Sequence, residues 1–326
     1  MALMNMVGAL NLALDDALRS DDSVVLLGQD IGLDEGVFRV TAHLLKRYGE
    51  NRVIDTPLAE GAIVGGAIGM ALYGLKPVAE MQFSGFAYQG FHQVEQHMSR
   101  FRNRTRGRFG VPMVIRMPYG GGIRAVEHHS ESREAIYAHT PGLFMVIPST
   151  PRNARALLLA SIRSPEPIIF YEPKAVYRAF KEEVPEEPET MELGKAQVVR
   201  EGSDLTMISY GAMMRPTLEA AVDLADREKA SIEVIDLLTV SPLDTETITN
   251  SVSKTGRAVI IHEGPRKCGI GAEVVARIVE KSLMYLEAPI RRVTGFDVQF
   301  PYFAREQAFL PNADRIGHAA REVLAF

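Results

Sequence analysis

The chain has 326 residues, of which 46% are hydrophobic and 24% charged, and a formal net charge of −5. This is the composition of a globular chain long enough for two domains, and its charge gives no general pull toward nucleic acid or an anionic membrane. The lone Cys268 excludes an internal disulfide and a multi-cysteine zinc site, and no apolar run reaches the ~18 residues of a spanning helix.

The start, MALMNMVGALNLALDDAL, carries Asp15 and Asp16 and reads as an ordinary amphipathic helix rather than a signal or transit peptide. A soluble, cytoplasmic protein is expected. Strand-like runs follow at VVLLG (24–28), PVAEMQF (77–83), VPMVIRMP (111–118), LFMVIPS (143–149) and PIIFYEP (167–173), with helical stretches at 61–73, 86–101 and 151–163. Continuous apolar strands alternating with helices predict a mainly parallel sheet covered on both faces. KEEVPEEPET (181–190) is rich in glutamate and proline and predicts a domain linker that buries nothing. A second alternating series then runs through AQVVREG, LTMISYG, a helix near 216–227, IEVIDLL, AVIIHEG, a helix near 271–286 and IRRVTGF. The prediction is two α/β domains in series.

The stretch DTPLAEGAIVGGAIGMALYG (55–74) places Glu60 against glycine and hydrocarbon. Thr56 and Pro57 suit the beginning of a helix. Gly61, Gly65 and Gly69 recur every fourth residue and share a helix face, although each costs about 1 kcal/mol of helix stability relative to alanine. A first-turn acid gains about 0.3–1 kcal/mol from the helix dipole, which accounts for a glutamate but not for three glycines behind it. A smooth stripe predicts the close approach of something large, such as a partner helix.

DTPLAEGAIVGGAIGMALYGLKPVAEMQF resembles the signature of the beta chain of thiamine-diphosphate-dependent 2-oxo acid dehydrogenases, the decarboxylating E1 component of branched-chain and pyruvate complexes. GQDIG (28–32), HHSES (128–132), HTPGLFMVIPSTP (139–151), FYEPKAVYR (170–178), EVIDLLTVSPLD (233–244) and KTGRAVIIHEG (254–264) keep the family's order and spacing, so the similarity runs nearly end to end. The resemblance implies two three-layer α/β domains: a pyrimidine-binding domain over 1–185 and a transketolase-C-terminal-like domain over 186–326.

In that family a glutamate hydrogen-bonds the N1′ nitrogen of the cofactor's aminopyrimidine and relays a proton; the matching residue is Glu60. Leu58 and Gln82 match positions beside the pyrimidine, and Phe86 an aromatic against that ring. His129 matches a histidine that helps pass the acyl group to the lipoyl arm, and imidazole titrates near neutrality. His128 is its neighbour; His139 has a structural reading equally open. No GDG segment of the kind that binds the diphosphate's magnesium is present, so the resemblance implies an alpha subunit that holds magnesium and the diphosphate half. A potassium site held largely by carbonyls would fall on Met113, Ser161, Ile162, Ser164 and Glu166, with Ser164 and Glu166 replacing the usual Asp and Asn. Gly85, Gln29 and Leu238 also depart from the family pattern, away from Glu60 and His129.

Two other motifs compete. Arg100, Arg102, Arg104, Arg106 and Arg108 could form an RNA-binding stripe, but aromatics are few and a contact with the partner chain or an acidic surface fits better. GPRKCGIGAEV lacks the third glycine and the distal acid of a dinucleotide fingerprint. The expected activity is therefore that of a beta subunit in an alpha2-beta2 tetramer. It would decarboxylate a 2-oxo acid and acylate the lipoyl group of an acyltransferase core through its C-terminal domain. The HHSESREA segment leans toward a branched-chain substrate, with pyruvate or acetoin as the alternative. From another class stands a non-catalytic RNA- or polyanion-binding scaffold, which leaves Glu60 and His129 unexplained. A self-sufficient transketolase-like enzyme is disfavoured by length and the missing GDG.

Overall fold

In the computed structural model, which describes residues 1–326, the apolar runs become the buried centres of two sheets. Two units form: Met1–Tyr119 with Ile136–Leu193, and Gly120–Ala135 with Gly194–Phe326.

The first unit carries β1 (Ala2–Met4), α1 (Met6–Ser20), β2 (Val24–Gln29), α2 (Leu44–Tyr48), β3 (Val53–Thr56), α3 (Glu60–Leu72) and β4 (Lys76–Glu80). Then come α4 (Tyr88–Gln93), α5 (Phe101–Arg104), β5 (Val114–Tyr119) and α6 (Glu134–Ala138), whose first two residues belong to the second unit and from whose Ile136 the chain is back in the first. It closes with β6 (Phe144–Val146), α7 (Pro151–Arg163), β7 (Ile168–Pro173) and β8 (Glu182–Val184). Strands β6, β7, β5, β4, β2 and β3 lie side by side in that order, every neighbouring pair parallel. All of β5 and β7 is buried, as strands covered on both faces require. Helix α1 is capped by Asn5, whose side chain accepts from the Gly8 N–H, and packs its apolar face on α7. Thr150, Pro151 and Asn153 start α7 with a reciprocal capping box. Between the two helices Arg155 Nη2 meets Asp16 Oδ2 at 2.6 Å, and both side chains are buried.

The second unit holds β9 (Gln197–Arg200), β10 (Leu205–Ser209), α8 (Met214–Glu228), β11 (Ile232–Asp236), β12 (Thr239–Ser241) and α9 (Thr245–Thr255). It continues through β13 (Ala258–Pro265), α10 (Ile270–Ser282), β14 (Arg291–Gly295), α11 (Glu306–Phe309) and α12 (Ala313–Leu324). Its sheet runs β14-β13-β10-β11-β9, parallel except for β9. Helix α12 packs on α8, and α10 on α9.

Three expectations are corrected. The single helix expected over 86–101 is broken into a 3-10 turn (Ser84–Phe86), α4, a π-helical turn (Val94–Met98) and α5. A Cβ on Gly90 would sit 3.1 Å from Val64 Cγ2 and 3.3 Å from the Glu60 carbonyl, so close docking of α4 on α3 sets its path. The acidic segment 181–190 does bury something. Residues 182–184 pair antiparallel with 2–4, and Val184 is fully buried while its glutamates face solvent and cations. That pairing ties 182–184 to the first unit, so the expected boundary at 185/186 falls inside it and the division lies at 193/194. The short strands β1, β3 and β12 have too few residues to show a period in the sequence.

Candidate active site

Glu60 opens α3, and its N-cap, Ala59, offers no side-chain acceptor. The carboxylate therefore stands at the positive end of the helix. Its residue is 8% exposed, and Oε2 is buried without a hydrogen-bond partner. Thr56 Oγ1, at the end of β3, is buried and unpartnered as well. Orphaned buried polar atoms are rare, and two of them on one strand-to-helix connection mark a place where a ligand's polar edge would be bound. This donor set fits the aminopyrimidine half of thiamine diphosphate, whose ring nitrogens need such a partner in a dry setting.

The glycine stripe divides its work. A Cβ on Gly61 would lie 3.2 Å from the Gln89 carbonyl, so Gly61 serves the approach of α4 within this chain rather than that of a partner helix. Gly65 faces the Gln93 side chain at 3.7 Å, and Gly66 and Gly69 meet nothing within 4 Å. Only the last two lie on an open face.

The other predicted residues of this unit occupy the segments leaving β3 and β4, at the carboxyl ends of parallel strands where ligands bind in such sheets. Gln82 Nε2 donates to Asp30 Oδ2 at 2.7 Å. Phe86 meets Phe83 edge-on with ring centroids 5.5 Å apart, and Phe83 in turn contacts Phe38 at 5.4 Å. Leu58 is 66% exposed.

Beneath these strand ends lies a charged network that the sequence reading did not find. Arg116 on β5 donates to Glu172 on β7 and to Glu80 on β4, all three being buried. Tyr177 OH donates to Glu172 Oε2 at 2.5 Å. Burial pushes the Glu80 carboxyl up, opposed by Arg116, while Arg116 is raised because Glu172 and Glu80 outweigh its own burial. Burial, then Glu172, holds the Tyr177 hydroxyl well above its ordinary value. The signal was present: a lone charge stands in each of three apolar runs, two acids and one base.

His128 and His129 lie in the second unit, on the irregular segment after β5. His128 is exposed, His129 half-buried and Ser130 fully buried, and the Ser130 N–H closes a turn onto the Glu127 carbonyl at 2.9 Å. His139 is exposed in the first unit.

At the expected potassium positions several groups already take part in hydrogen bonds within the chain. Glu166 Oε1 accepts from Arg102 Nη1 at 2.5 Å, and Arg102 Nη2 takes the Pro165 carbonyl at 3.1 Å. The carbonyls of Met113 and Ser161 receive the N–H groups of Ile168 and Ser164, Ser164 Oγ accepts from the Glu166 N–H, and Ile162 is buried in α7. No group of three or more His, Cys, Asp or Glu side chains is placed to hold a metal ion.

Both competing motifs receive structural explanations. Arg100 pairs with Glu95, Arg102 with Glu166, and Arg104 with the Gln96 carbonyl, so much of the arginine run is spent within the chain. Gly269 and Gly271 make room for His262: a Cβ there would lie 2.7 and 2.9 Å from its ring. No helix is long and apolar enough to cross a membrane.

Comparison with known proteins agrees with this organisation. Residues 3–179 match the transketolase pyrimidine-binding domain and residues 194–316 the transketolase C-terminal domain. The chain is 49% identical to the pyruvate dehydrogenase E1 component subunit beta of Acholeplasma laidlawii, covering 99% of this chain and 98% of that one. It is 47% identical to the subunit of the same name from Bacillus subtilis (strain 168), over the full length of both. Among solved structures it resembles a split-gene transketolase described as an inactive beta4 tetramer, with a TM-score of 0.80, 21% identity and 99% of each chain covered, a likeness of fold. The chain belongs to the beta-subunit family of the thiamine-diphosphate-dependent 2-oxo acid dehydrogenase E1 component.

Proposed function

We propose that this chain is the beta subunit of a pyruvate dehydrogenase E1 component, acting in the cytoplasm with an alpha subunit in an alpha2-beta2 tetramer. The observation that carries the reading is the buried, unpartnered Oε2 of Glu60 at the head of α3. When bound, thiamine diphosphate supplies a carbon nucleophile and an electron sink for decarboxylation. Glu60 holds a proton at the N1′ atom of its aminopyrimidine, and the low exposure of Glu60 keeps water from competing for that bond. Phe86 and Gln82 would orient the ring, and Leu58, exposed in the single chain, would lie beside it. His129 donates a proton to the leaving sulfur of the lipoyl dithiolane as the other sulfur takes the acyl group. The alpha subunit supplies magnesium and the diphosphate half, and the C-terminal unit meets the acyltransferase core.

Pyruvate is favoured over a branched-chain acid because the relatives at 47–49% identity bear the pyruvate name. The leaning from HHSESREA toward branched-chain substrates has no comparable support. The test is to co-express the chain with an alpha-type partner and assay decarboxylation of pyruvate and of 3-methyl-2-oxobutanoate, with each chain alone as control. Activity on pyruvate only in the pair is expected. Faster turnover of the branched acid would overturn the substrate, and activity of this chain alone would overturn the two-chain reading.

A further inference from the structure

Residues 120–133 carry His129 without any helix or strand, and their backbone is strained: φ is positive not only at Gly120 and Gly122 but at Arg124 (58°) and Val126 (58°). A β-branched residue in the left-handed region is costly and persists only where its surroundings impose it. Two residues of this loop, Gly122 and Arg124, are held by one carboxylate. Glu306, fully buried at the start of α11, accepts the Gly122 N–H on Oε1 at 2.7 Å and the Arg124 N–H on the same atom at 3.2 Å. Its other oxygen, Oε2, has no partner.

Neighbouring groups shape the same loop. The Gly121 N–H donates to Glu263 Oε2 at 2.8 Å, and a Cβ on Gly121 would lie 2.6 Å from Phe300 Cζ, so bare backbone is seated on the Phe300–Phe309–Leu310 cluster. The Gly120 N–H closes onto the Glu131 carbonyl at 3.2 Å, and Tyr210 OH fixes Glu134 at the loop's far end at 2.7 Å.

Burying a carboxylate is expensive, and Glu306 makes no ion pair; its contacts are those two N–H groups. His129 stands five positions after Arg124. We infer that Glu306 is the positioning residue for His129: it fixes the strained backbone from which the imidazole is presented to the lipoyl group. This rests on the reading of His129 as the acyl-transfer residue.

The experiment uses the assembled alpha–beta enzyme and compares two rates, reductive acylation of a lipoyl domain and decarboxylation followed with an artificial electron acceptor. Glu306→Gln, which keeps the volume but gives up the charge that strengthens both N–H bonds and sets an amide NH2 where Oε2 is unpartnered, is expected to lower acylation about 10–100-fold more than decarboxylation, the scale of a misplaced reacting group. Glu306→Ala should lower it further. In a His129→Ala background, Glu306→Gln should leave the ratio of the two rates where His129→Ala alone puts it. If His129→Ala shifts the ratio and Glu306→Gln does not, or if the two effects simply multiply, the positioning role is overturned while the reading of His129 stands. If His129→Ala itself leaves the ratio unchanged, that reading falls and the inference with it. Should Glu306→Ala fail to assemble, the glutamine variant carries the comparison.

Discussion

Arg116 grips Glu172 with two parallel bonds, Nε to Oε1 at 2.6 Å and Nη2 to Oε2 at 3.0 Å, while Nη1 reaches Glu80 Oε2 at 2.6 Å. Three neighbouring strands, β4, β5 and β7, are thus cross-tied at the ends that carry the candidate site. A bidentate guanidinium in a dry setting is the strongest form of such a bond. Removing it leaves two buried carboxylates facing each other.

Arg116→Met is therefore expected to destabilise the first unit by about 3–5 kcal/mol, the usual cost of orphaning one side of a buried ion pair. Arg116→Lys should recover only part, because an ammonium cannot make the fork. Denaturant unfolding of the three proteins checks this. A loss under about 1 kcal/mol for Arg116→Met would show the network to be replaceable by packing.

Stability of the second unit should fall in mild acid, and His262 is the named cause. Its ring stacks near Tyr210 with centroids 6.3 Å apart, on the shelf made by Gly269 and Gly271. Burial, then the charge of Arg292, pushes its pKa down to about 4, against a smaller opposing contact with the Gly264 backbone. Between pH 6.5 and 4 the unfolded chain binds a proton that the folded chain refuses, so stability is complete above 6.5 and is lost as pH falls through that window. The full loss is about 3 kcal/mol. Glu134, raised by burial, acts in the opposite direction, so the measurement must be a difference. His262→Leu should flatten the slope of unfolding free energy against pH relative to the parent. Parallel slopes would acquit His262.

Glu60→Gln should lower turnover of the assembled enzyme by about 10²–10⁴, the usual worth of a positioned acid–base group. The glutamine fills the same volume, so assembly on sizing and the thermal midpoint should stay near the parent's. Normal turnover in a properly assembled variant would remove Glu60 from the chemistry.

Glu60 stood out in the sequence because a first-turn acid, itself favoured by the helix dipole, precedes three glycines that helix propensity disfavours, and such conflicts concentrate at functional sites. The parallel sheets were readable for a related reason: buried strands such as VIRMPY and PIIFYEP leave continuous apolar runs. Glu306 had no such mark. It meets Gly122 across 184 residues, and nothing local distinguishes it from a surface acid in FAREQAF. The break in 86–101 and the strand inside KEEVPEE were hidden similarly, since a helix held against Glu60 and Val64, and an edge strand paired with residues 2–4, depend on distant partners.

The open half of the glycine stripe yields the last expectation. Gly69 is exposed, and a side chain there meets nothing within 4 Å of its Cβ, so Gly69→Leu should stabilise the lone chain by roughly 0.5–1 kcal/mol through helix propensity. If α3 presents this bare face to another subunit, the same substitution should weaken assembly, because leucine fills the space an approaching backbone would use. The two readouts then move in opposite directions: the thermal midpoint of the chain alone rises while the tetramer dissociates at higher protein concentration on sizing. Gly61→Leu is the contrast, since it collides with the Gln89 carbonyl inside the chain and should lower stability with or without a partner. A Gly69→Leu enzyme that assembles like its parent would show that the bare face of α3 looks onto solvent.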